Sequence, residues 1–120
     1  MSNDQPTEIL NGDRIWRNAA GQYHRENGPA IERANGDKEW YRNGLLHRED
    51  GPASETREGY RAWYRNGKVH REGGPAVEID DGSGDKYWYR NGKLHREDGP
   101  AVERADGAVE YWINGKQLNC

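Results

Sequence analysis

Phenylalanine is absent from this chain of 120 residues, cysteine and methionine occur once each, and hydrophobic residues make up only 32% of the total. A domain of this length ordinarily buries a larger apolar core than such a composition can supply. The 5 Trp and 7 Tyr residues must carry much of the burial, because aromatic rings hide more area than aliphatic side chains do. A repeat array fits this shortage, since each unit packs only on its neighbours around a thin shared core.

The single cysteine, Cys120, cannot form a disulfide within the chain, and it does not lie where a prenylated cysteine would. No apolar run approaches the length of a membrane span. The first eight residues also lack the basic and apolar segments of a secretory signal. These absences predict a cytoplasmic protein.

No charge of one sign dominates, because 18 Lys and Arg residues face 21 Asp and Glu residues and the two signs alternate along the whole chain. Nucleic-acid-binding proteins usually carry a clustered basic excess, and proteins that bind anionic membranes usually carry a polybasic block. The charge pattern therefore argues against nucleic acid and membranes as partners. A protein partner is the expectation that remains.

One unit of roughly two dozen residues, built on W-Y-R-N-G-K-x-H-R-E-x-G-P-A-x-E, recurs along the chain. The spacing from Trp to the following His is 7 residues in the three central copies, and the spacing from His to Pro is 5 in all four copies. The spacing from Pro to the next Trp varies from 11 to 13 residues. Variable length marks an exposed turn, whereas the constant stretch marks a fixed element. The units lie around Trp16, Trp40, Trp63, Trp88 and Trp112.

The local chemistry indicates strands and turns. Each unit carries an Asn-Gly dipeptide, such as Asn43-Gly44, in which both residues accept positive φ at little cost. A second turn precedes each Pro, and no window is free of glycine for long enough to form a stable helix. Each unit could hold three short strands, or two strands joined by a long loop. Two strands are favoured, because only an even number keeps successive copies in the same orientation.

The run from Trp88 to His95, followed by the turn Asp106-Gly107, resembles the MORN repeat, whose pattern is Tyr-x-Gly-x-Trp-x-Asn-Gly-Lys followed by glycines and a second Asp-Gly turn. The resemblance covers about residues 11 to 116, with a matching period near 23 residues. R-E-x-G-P-A replaces the family's G-x-G after the loop, so the chain is similar to the divergent variant repeats of bacteria, phages and giant viruses. The family's fold implies one elongated, twisted sheet of successive hairpins.

The predicted fold is therefore all-β: an elongated, twisted antiparallel sheet of about five tandem β-hairpin repeats in a single layer. Residues 1–10 are predicted to be a flexible N-terminal tail, and residues 11–120 a single domain. Exposed edges of such a sheet favour pairing with another copy. Self-association through a sheet edge or face is therefore expected as well.

Alternation along a strand places each central Trp on one face with its flanking cations. This predicts an aromatic and cationic stripe of nine residues: Lys38, Trp40, Arg42, Arg61, Trp63, Arg65, Lys86, Trp88 and Arg90. The stripe could stack flat anionic ligands such as nucleotides. The favoured interpretation is that the rings form the thin core while the cation stems cover them, with Glu32, Glu55, Glu78 and Glu103 on adjacent strands neutralising the charge.

A row of H-R-E triplets supplies the candidate partner-binding residues: His24, Arg25, His47, Arg48, His70, Arg71, His95 and Arg96. Copies about 10 Å apart cannot converge on one metal ion, so no metal site is expected. A motif repeated along a sheet also lacks the single asymmetric pocket of an enzyme, and no catalytic residue or cofactor is assigned. The favoured interpretation is that the triplet ties its loop to itself and to its neighbour through hydrogen bonds. The alternative is recognition of an acidic or extended partner.

The longest tip, residues 80–85, holds three carboxylates and two glycines. Its spacing lacks the alternating ligands and the distal Glu of an EF-hand loop, so a plain hairpin tip is predicted rather than a calcium site.

These patterns predict a non-enzymatic binding module that caps a protein partner through a sheet face or through the H-R-E edge. The resemblance to bacterial and phage repeats points to small inhibitors, such as immunity proteins, antitoxin-like proteins or anti-defence factors. Two alternatives stay open at this point. One is a ligand sponge that binds small nucleotides on the stripe, and the other is a structural spacer.

Overall fold

A computed structural model describes residues 5–80 and 84–118, and these residues form 18 short strands without a helix. The strands, numbered in chain order, are β1 Glu8–Leu10, β2 Asp13–Ile15, β3 Ile31–Glu32, β4 Lys38–Glu39, β5 Tyr41–Arg42, β6 Leu45–Leu46, β7 Ser54–Glu55, β8 Tyr60–Ala62, β9 Tyr64–Arg65, β10 Lys68–Val69, β11 Val77–Ile79, β12 Lys86–Tyr87, β13 Tyr89–Arg90, β14 Lys93–Leu94, β15 Val102–Glu103, β16 Val109–Glu110, β17 Trp112–Ile113 and β18 Lys116–Gln117. Part of the tip at residues 80–85, and Cys120, lie outside the described residues.

Ten of the strands form one antiparallel sheet, in which neighbours along the chain pair in the order β1-β2-β3-β4-β7-β8-β11-β12-β15-β16. The other eight form four two-stranded hairpins: β5-β6, β9-β10, β13-β14 and β17-β18. The sheet places a cation opposite a glutamate within each of four units: Arg14 with Glu32, Lys38 with Glu55, Arg61 with Glu78, and Lys86 with Glu103. The prediction of an all-β array of antiparallel hairpin repeats is confirmed.

Each central unit contains four short strands, which differs from both predicted strand counts. Two of them lie in the main sheet, as the favoured alternative required, and the loop between them folds into a small hairpin of its own. The Asn-Gly pairs turn these hairpins with positive φ at both residues, as at Asn43 (φ 49°) and Gly44 (φ 82°). This is the conformation of a type I′ turn, which matches the twist of the flanking strands.

The strand is interrupted at the tryptophan, because the chain changes hydrogen-bonding partner there. Trp40 N–H donates to Ala53 O at 2.7 Å, and this bond continues the pairing of the main sheet. Trp40 O accepts from His47 N–H at 3.0 Å, and this bond continues the pairing of the small hairpin. Trp16, Trp63 and Trp88 repeat the same exchange. The prediction of one continuous strand through each Trp is therefore wrong.

The predicted flexible tail is partly ordered. Glu8–Leu10 forms β1, which pairs with Asp13–Ile15 across a tight turn at Asn11 and Gly12, both with positive φ. The turn therefore stands at the predicted boundary between the tail and the domain. Ile9 and Leu10 are nonetheless exposed, at 64% and 56%.

The last unit is shifted by one residue from its predicted position. Leu118 N–H donates to Tyr111 O, as His47 N–H does to Trp40 O, so Tyr111 and not Trp112 occupies the tryptophan position. Trp112 takes the place of Tyr41, and both donate a side-chain hydrogen bond of 2.9 Å to the glutamate two residues earlier. The spacing from Pro100 to Tyr111 is then 11 residues, as it is before Trp40 and Trp63.

A thin line of small and branched side chains forms the core. It comprises Ile15, Trp16, Ala30, Ile31, Ala53, Ala62, Ala76, Val77, Ala101 and Val102. The chain extends over 55 × 28 × 23 Å, and its radius of gyration of 16.3 Å exceeds the ~14 Å expected of a compact domain of this length. The predicted elongation is confirmed.

Candidate functional site

The segment from His to Pro in each unit, here called the corner, places its arginine on the tryptophan ring of the same unit. Arg48 Cζ lies 3.8 Å from the centroid of Trp40, in the geometry of a cation–π contact. The same contact joins Arg25 to Trp16 at 3.7 Å, Arg71 to Trp63 at 3.8 Å and Arg96 to Trp88 at 4.0 Å. Each contact spans eight or nine residues of sequence, so it depends on the bend at the tryptophan.

A glycine covers the other side of each guanidinium. A Cβ atom added at Gly51 would lie only 2.8 Å from Arg48 Cζ, and one added at Gly99 would lie 2.9 Å from Arg96 Cζ. The glycine before each proline therefore lies against the guanidinium, and a side chain at Gly51 or Gly99 would force the arginine to shift. The corner is a stack of ring, guanidinium and glycine.

Each corner arginine is also held at its edge. Arg48 Nη1 donates to Pro52 O at 3.0 Å and to Glu55 at 3.4 Å. The equivalent glutamates of the other units, Glu32, Glu78 and Glu103, accept from their own corner arginines at 3.1–3.3 Å. These are the glutamates that were predicted to neutralise the stripe, and Glu78 also pairs with Arg61 at 3.3 Å.

The histidines join adjacent units. His70 Nδ1 accepts a hydrogen bond of 3.0 Å from the backbone N–H of Asn91 in the next unit, and its Nε2 lies 3.3 Å from Glu72 in its own corner. His24, His47 and His95 make the same pair of contacts, to Asn43, Asn66 and Asn114 and to Glu26, Glu49 and Glu97. An Nδ1 that accepts leaves the proton on Nε2, which donates to the carboxylate. The predicted tie of the loop to itself and to its neighbour is confirmed.

The glutamates of three corners have lowered pKa values. Glu72 is the representative case: the hydrogen bond from His70 is the main cause of its lowered pKa, and the charge of Arg65 adds to it. Glu49 and Glu97 show the same direction for the same main cause. Each carboxylate also pairs at 3.3 Å with the arginine of its hairpin, Arg42, Arg65 or Arg90.

The predicted aromatic and cationic stripe is not a single surface. Lys38, Arg61 and Lys86 lie in the main sheet, whereas Arg42, Arg65 and Arg90 lie in the small hairpins beyond the bend. Within the described residues, the cations stacked on Trp40, Trp63 and Trp88 come from the corners instead. Alternation does not continue through the tryptophan, because the strand is broken there.

Three grooves follow one another along the corner side, each between a corner and the hairpin of the next unit. Their volumes are about 550, 380 and 650 Å³ in chain order. Each groove is lined by three arginines and three carboxylates, together with one Trp, one Tyr and one His. The grooves are thus near-copies of each other in chemistry, with balanced charge.

The predicted partner-binding residues are less accessible than their neighbours in these grooves. His47, His70 and His95 are buried, and the corner arginines expose only 15–30% of their side chains. The exposed groups are Arg42, Arg65, Arg90, Glu49, Glu72 and Glu97, which expose 50–67% of their side chains. The three glutamates were missed as site residues, although they stand beside the arginine in every H-R-E triplet.

Residues 5–80 and 84–118 contain no group of three or more His, Cys, Asp or Glu side chains placed to hold a metal ion. Within the same residues, no helix has the length and apolar character needed to cross a membrane.

Comparison with protein-family models, with curated proteins and with solved structures finds no match to this chain.

Proposed function

We propose that the chain is a non-enzymatic, protein-binding repeat module that uses the groove side of the array. The observation that supports this most directly is the repetition of three open grooves of like composition along one side. Each unit adds two strands to the main sheet, so successive grooves lie about 10 Å apart, which an extended chain spans with about three residues. A polypeptide segment can therefore contact several grooves at once.

The charges of the grooves favour a polypeptide over a nucleic acid. Three arginines and three carboxylates line each groove, so no groove presents the basic excess that phosphate groups require. The exposed pairs, such as Arg65 with Glu72, offer both donors and acceptors. Such a surface complements a partner that carries both signs of charge, and charge complementarity of this kind selects partners and speeds association.

The aromatic rings give less support to the alternative of a nucleotide sponge. One face of each stacked Trp is already covered by its corner arginine, at 3.7–4.0 Å. A base would have to displace this guanidinium or use the remaining ring surface. If Trp fluorescence changed saturably with added mononucleotides, the sponge would replace protein binding as the leading function.

The histidines support a non-catalytic role. Each ring uses both nitrogens within the protein, one toward the Asn N–H of the next unit and one toward a glutamate. A general base needs a free nitrogen within reach of its substrate. We infer further, from the resemblance to variant MORN repeats of bacteria and phages, that the partner is a protein whose activity is blocked when the array caps it.

The test is affinity capture from host cells with matched variants. Wild-type protein and the tip variant Arg57→Glu should capture the same partner, whereas the double variant Arg65→Glu, Arg90→Glu should lose it, because two exposed groove cations reverse sign. All three proteins must be folded by circular dichroism. Equal capture by the groove variant, or no specific capture by wild type at micromolar bait, would contradict the proposal.

A further inference from the structure

The third corner lacks a carboxylate that two other corners have. In the second and fourth corners, Asp50 and Asp98 accept from Nε of Arg48 and Arg96 at 3.0 and 3.2 Å. The equivalent position in the third corner is Gly73. Among the described residues, Nε–H of Arg71 consequently has no hydrogen-bond acceptor.

The space of the missing side chain is open. A Cβ atom added at Gly73 would have no heavy atom within 4 Å, and the backbone there does not have positive φ. The Arg71 side chain is 30% exposed, more than the 23% and 24% of Arg48 and Arg96. Arg71 therefore presents a donor into a vacant volume that leads to the groove.

The donor is already fixed in place. Arg71 lies on Trp63 at 3.8 Å, donates through Nη1 to Pro75 O at 3.0 Å, and contacts Glu78 at 3.3 Å. A ligand that binds there does not have to order a flexible side chain, which is the usual entropic cost of an exposed ion pair.

We propose that Arg71 Nε–H and the space beside Gly73 form a binding site for a carboxylate, supplied by an aspartate or glutamate side chain of a protein partner. Glu78 already offsets part of the charge of Arg71, but Arg48 donates hydrogen bonds to both Glu55 and Asp50 in the same arrangement. A second carboxylate is thus compatible with the corner. The partner's carboxylate takes the place that Asp50 occupies one unit earlier.

The attribution of this carboxylate to a protein rests on the proposed function, whereas the site itself can be tested without a partner. The probe is sodium acetate, added up to about 0.5 M against sodium chloride at equal ionic strength, because a single exposed ion pair is weak. The readout is the position of the Nε–Hε resonances of Arg48, Arg71 and Arg96 in the ¹⁵N-labelled protein. We expect the Arg71 resonance to move at least threefold further than the other two.

Two exchange variants supply the controls. Gly73→Asp provides the missing carboxylate internally, so the Arg71 resonance should shift toward those of Arg48 and Arg96 and stop responding to acetate. Asp50→Gly should create the same response at Arg48. The first variant fills the site and the second creates an equivalent one, so either variant tests the site if the other fails to fold.

Equal movement of the three resonances in wild type, or an unchanged acetate response in Gly73→Asp, would overturn the site. A larger shift with inorganic phosphate than with acetate at equal ionic strength would overturn its assignment to carboxylates. Failure in these titrations leaves the partner captured through Arg65 and Arg90 unaffected, so the two proposals fail separately.

Discussion

At the scale of single residues, the corner stack explains why arginine, tryptophan and glycine recur together. The guanidinium of Arg48 occupies the volume between the Trp40 ring and Gly51, and lysine could not replace it because a planar cation is needed between two flat surfaces. In the third corner the counterpart of Gly51 is Gly74, and the residue before it, Gly73, has no such constraint. The adjacent glycines of the third corner, Gly73 and Gly74, therefore have different roles.

Gly51→Ala should displace Arg48 from Trp40 and lower the free energy of unfolding by about 1–2 kcal/mol, the range of a partly desolvated cation–π contact. Urea unfolding followed by Trp fluorescence measures the loss. Gly73→Ala is the matched control and should be neutral or slightly stabilising, because its methyl group meets open space. Equal destabilisation by both variants would show that the stack is not what requires glycine.

Tyr41 has a strongly raised pKa. Burial, and then the hydrogen bond to Glu39, raise its pKa from 10.0 to about 12. A raised pKa stabilises the folded state fully below pH 10, and this contribution is lost as the pH rises toward 12. Tyr60 and Tyr89 also have raised pKa values, so the expected difference in absorbance at 295 nm is the loss of one late-ionising tyrosine in Tyr41→Phe relative to wild type. The variant should also lose less stability between pH 10 and 12, and a profile parallel to wild type would refute the prediction.

At the scale of elements, each small hairpin is attached to the preceding unit by a histidine. The bond from Asn91 N–H to His70 Nδ1 adds to a backbone bond from Gly92 N–H to Val69 O, at 3.0 and 2.8 Å. Strands of two residues form too few bonds to be stable alone. The hairpins are therefore ordered by these contacts between units.

The variants His70→Asn and His70→Gln distinguish the contribution of the ring nitrogen Nδ1 from that of Nε2. Asparagine retains an acceptor near the position of Nδ1, whereas glutamine retains a polar group near Nε2. We expect Asn to preserve the bond to Asn91 better, by about 1 kcal/mol in the free energy of unfolding. Amide exchange at Asn91 should accelerate in His70→Gln more than in His70→Asn. The reverse order would indicate that the contact with Glu72 dominates.

The element boundaries show the limit of sequence reasoning. The Asn-Gly turns were predictable because positive φ is a local requirement that only a few residue types meet. The interruption at Trp40 was not predictable from alternation. It arises because the N–H of Trp40 bonds to Ala53 in the main sheet while its carbonyl bonds to His47 of the small hairpin. The last unit was aligned on Trp112 because tryptophan marks the other units, whereas the equivalent position is held by Tyr111.

At the scale of the whole molecule, the array is held by the same contacts repeated between neighbours. Over residues 5–80 and 84–118 the buried side chains form only a thin line, and the extent of 55 Å is reached by adding units. Stability is then the sum of corner and junction contributions. A change of conditions that weakens one corner weakens the equivalent corners at the same time.

Acidification should act in this way through Glu49, Glu72 and Glu97. Their lowered pKa values stabilise the fold above the ordinary value of 4.5, and this stability is lost as the pH falls below it. The triple Gln variant should have a melting temperature that falls less between pH 5 and pH 3, with Glu58→Gln as control. In His70→Ala the pKa of Glu72, measured from its carboxyl carbon, should rise toward its ordinary value. An unchanged pKa would remove the histidine as the main cause.

The period, the turns and the all-β class follow from the amino-acid sequence alone. They depend on residues close together in the chain: glycine and asparagine at positive φ, proline at the corner, aromatic residues in the strands. The sequence also indicated the glutamates that would meet the arginines. Tertiary structure alone decided which cation lies on which ring, that the histidines are buried between units, and that Gly73 leaves Arg71 with an open donor. Those features depend on the bend at each tryptophan, which brings together residues eight or more positions apart, and spacing along the chain does not encode that bend.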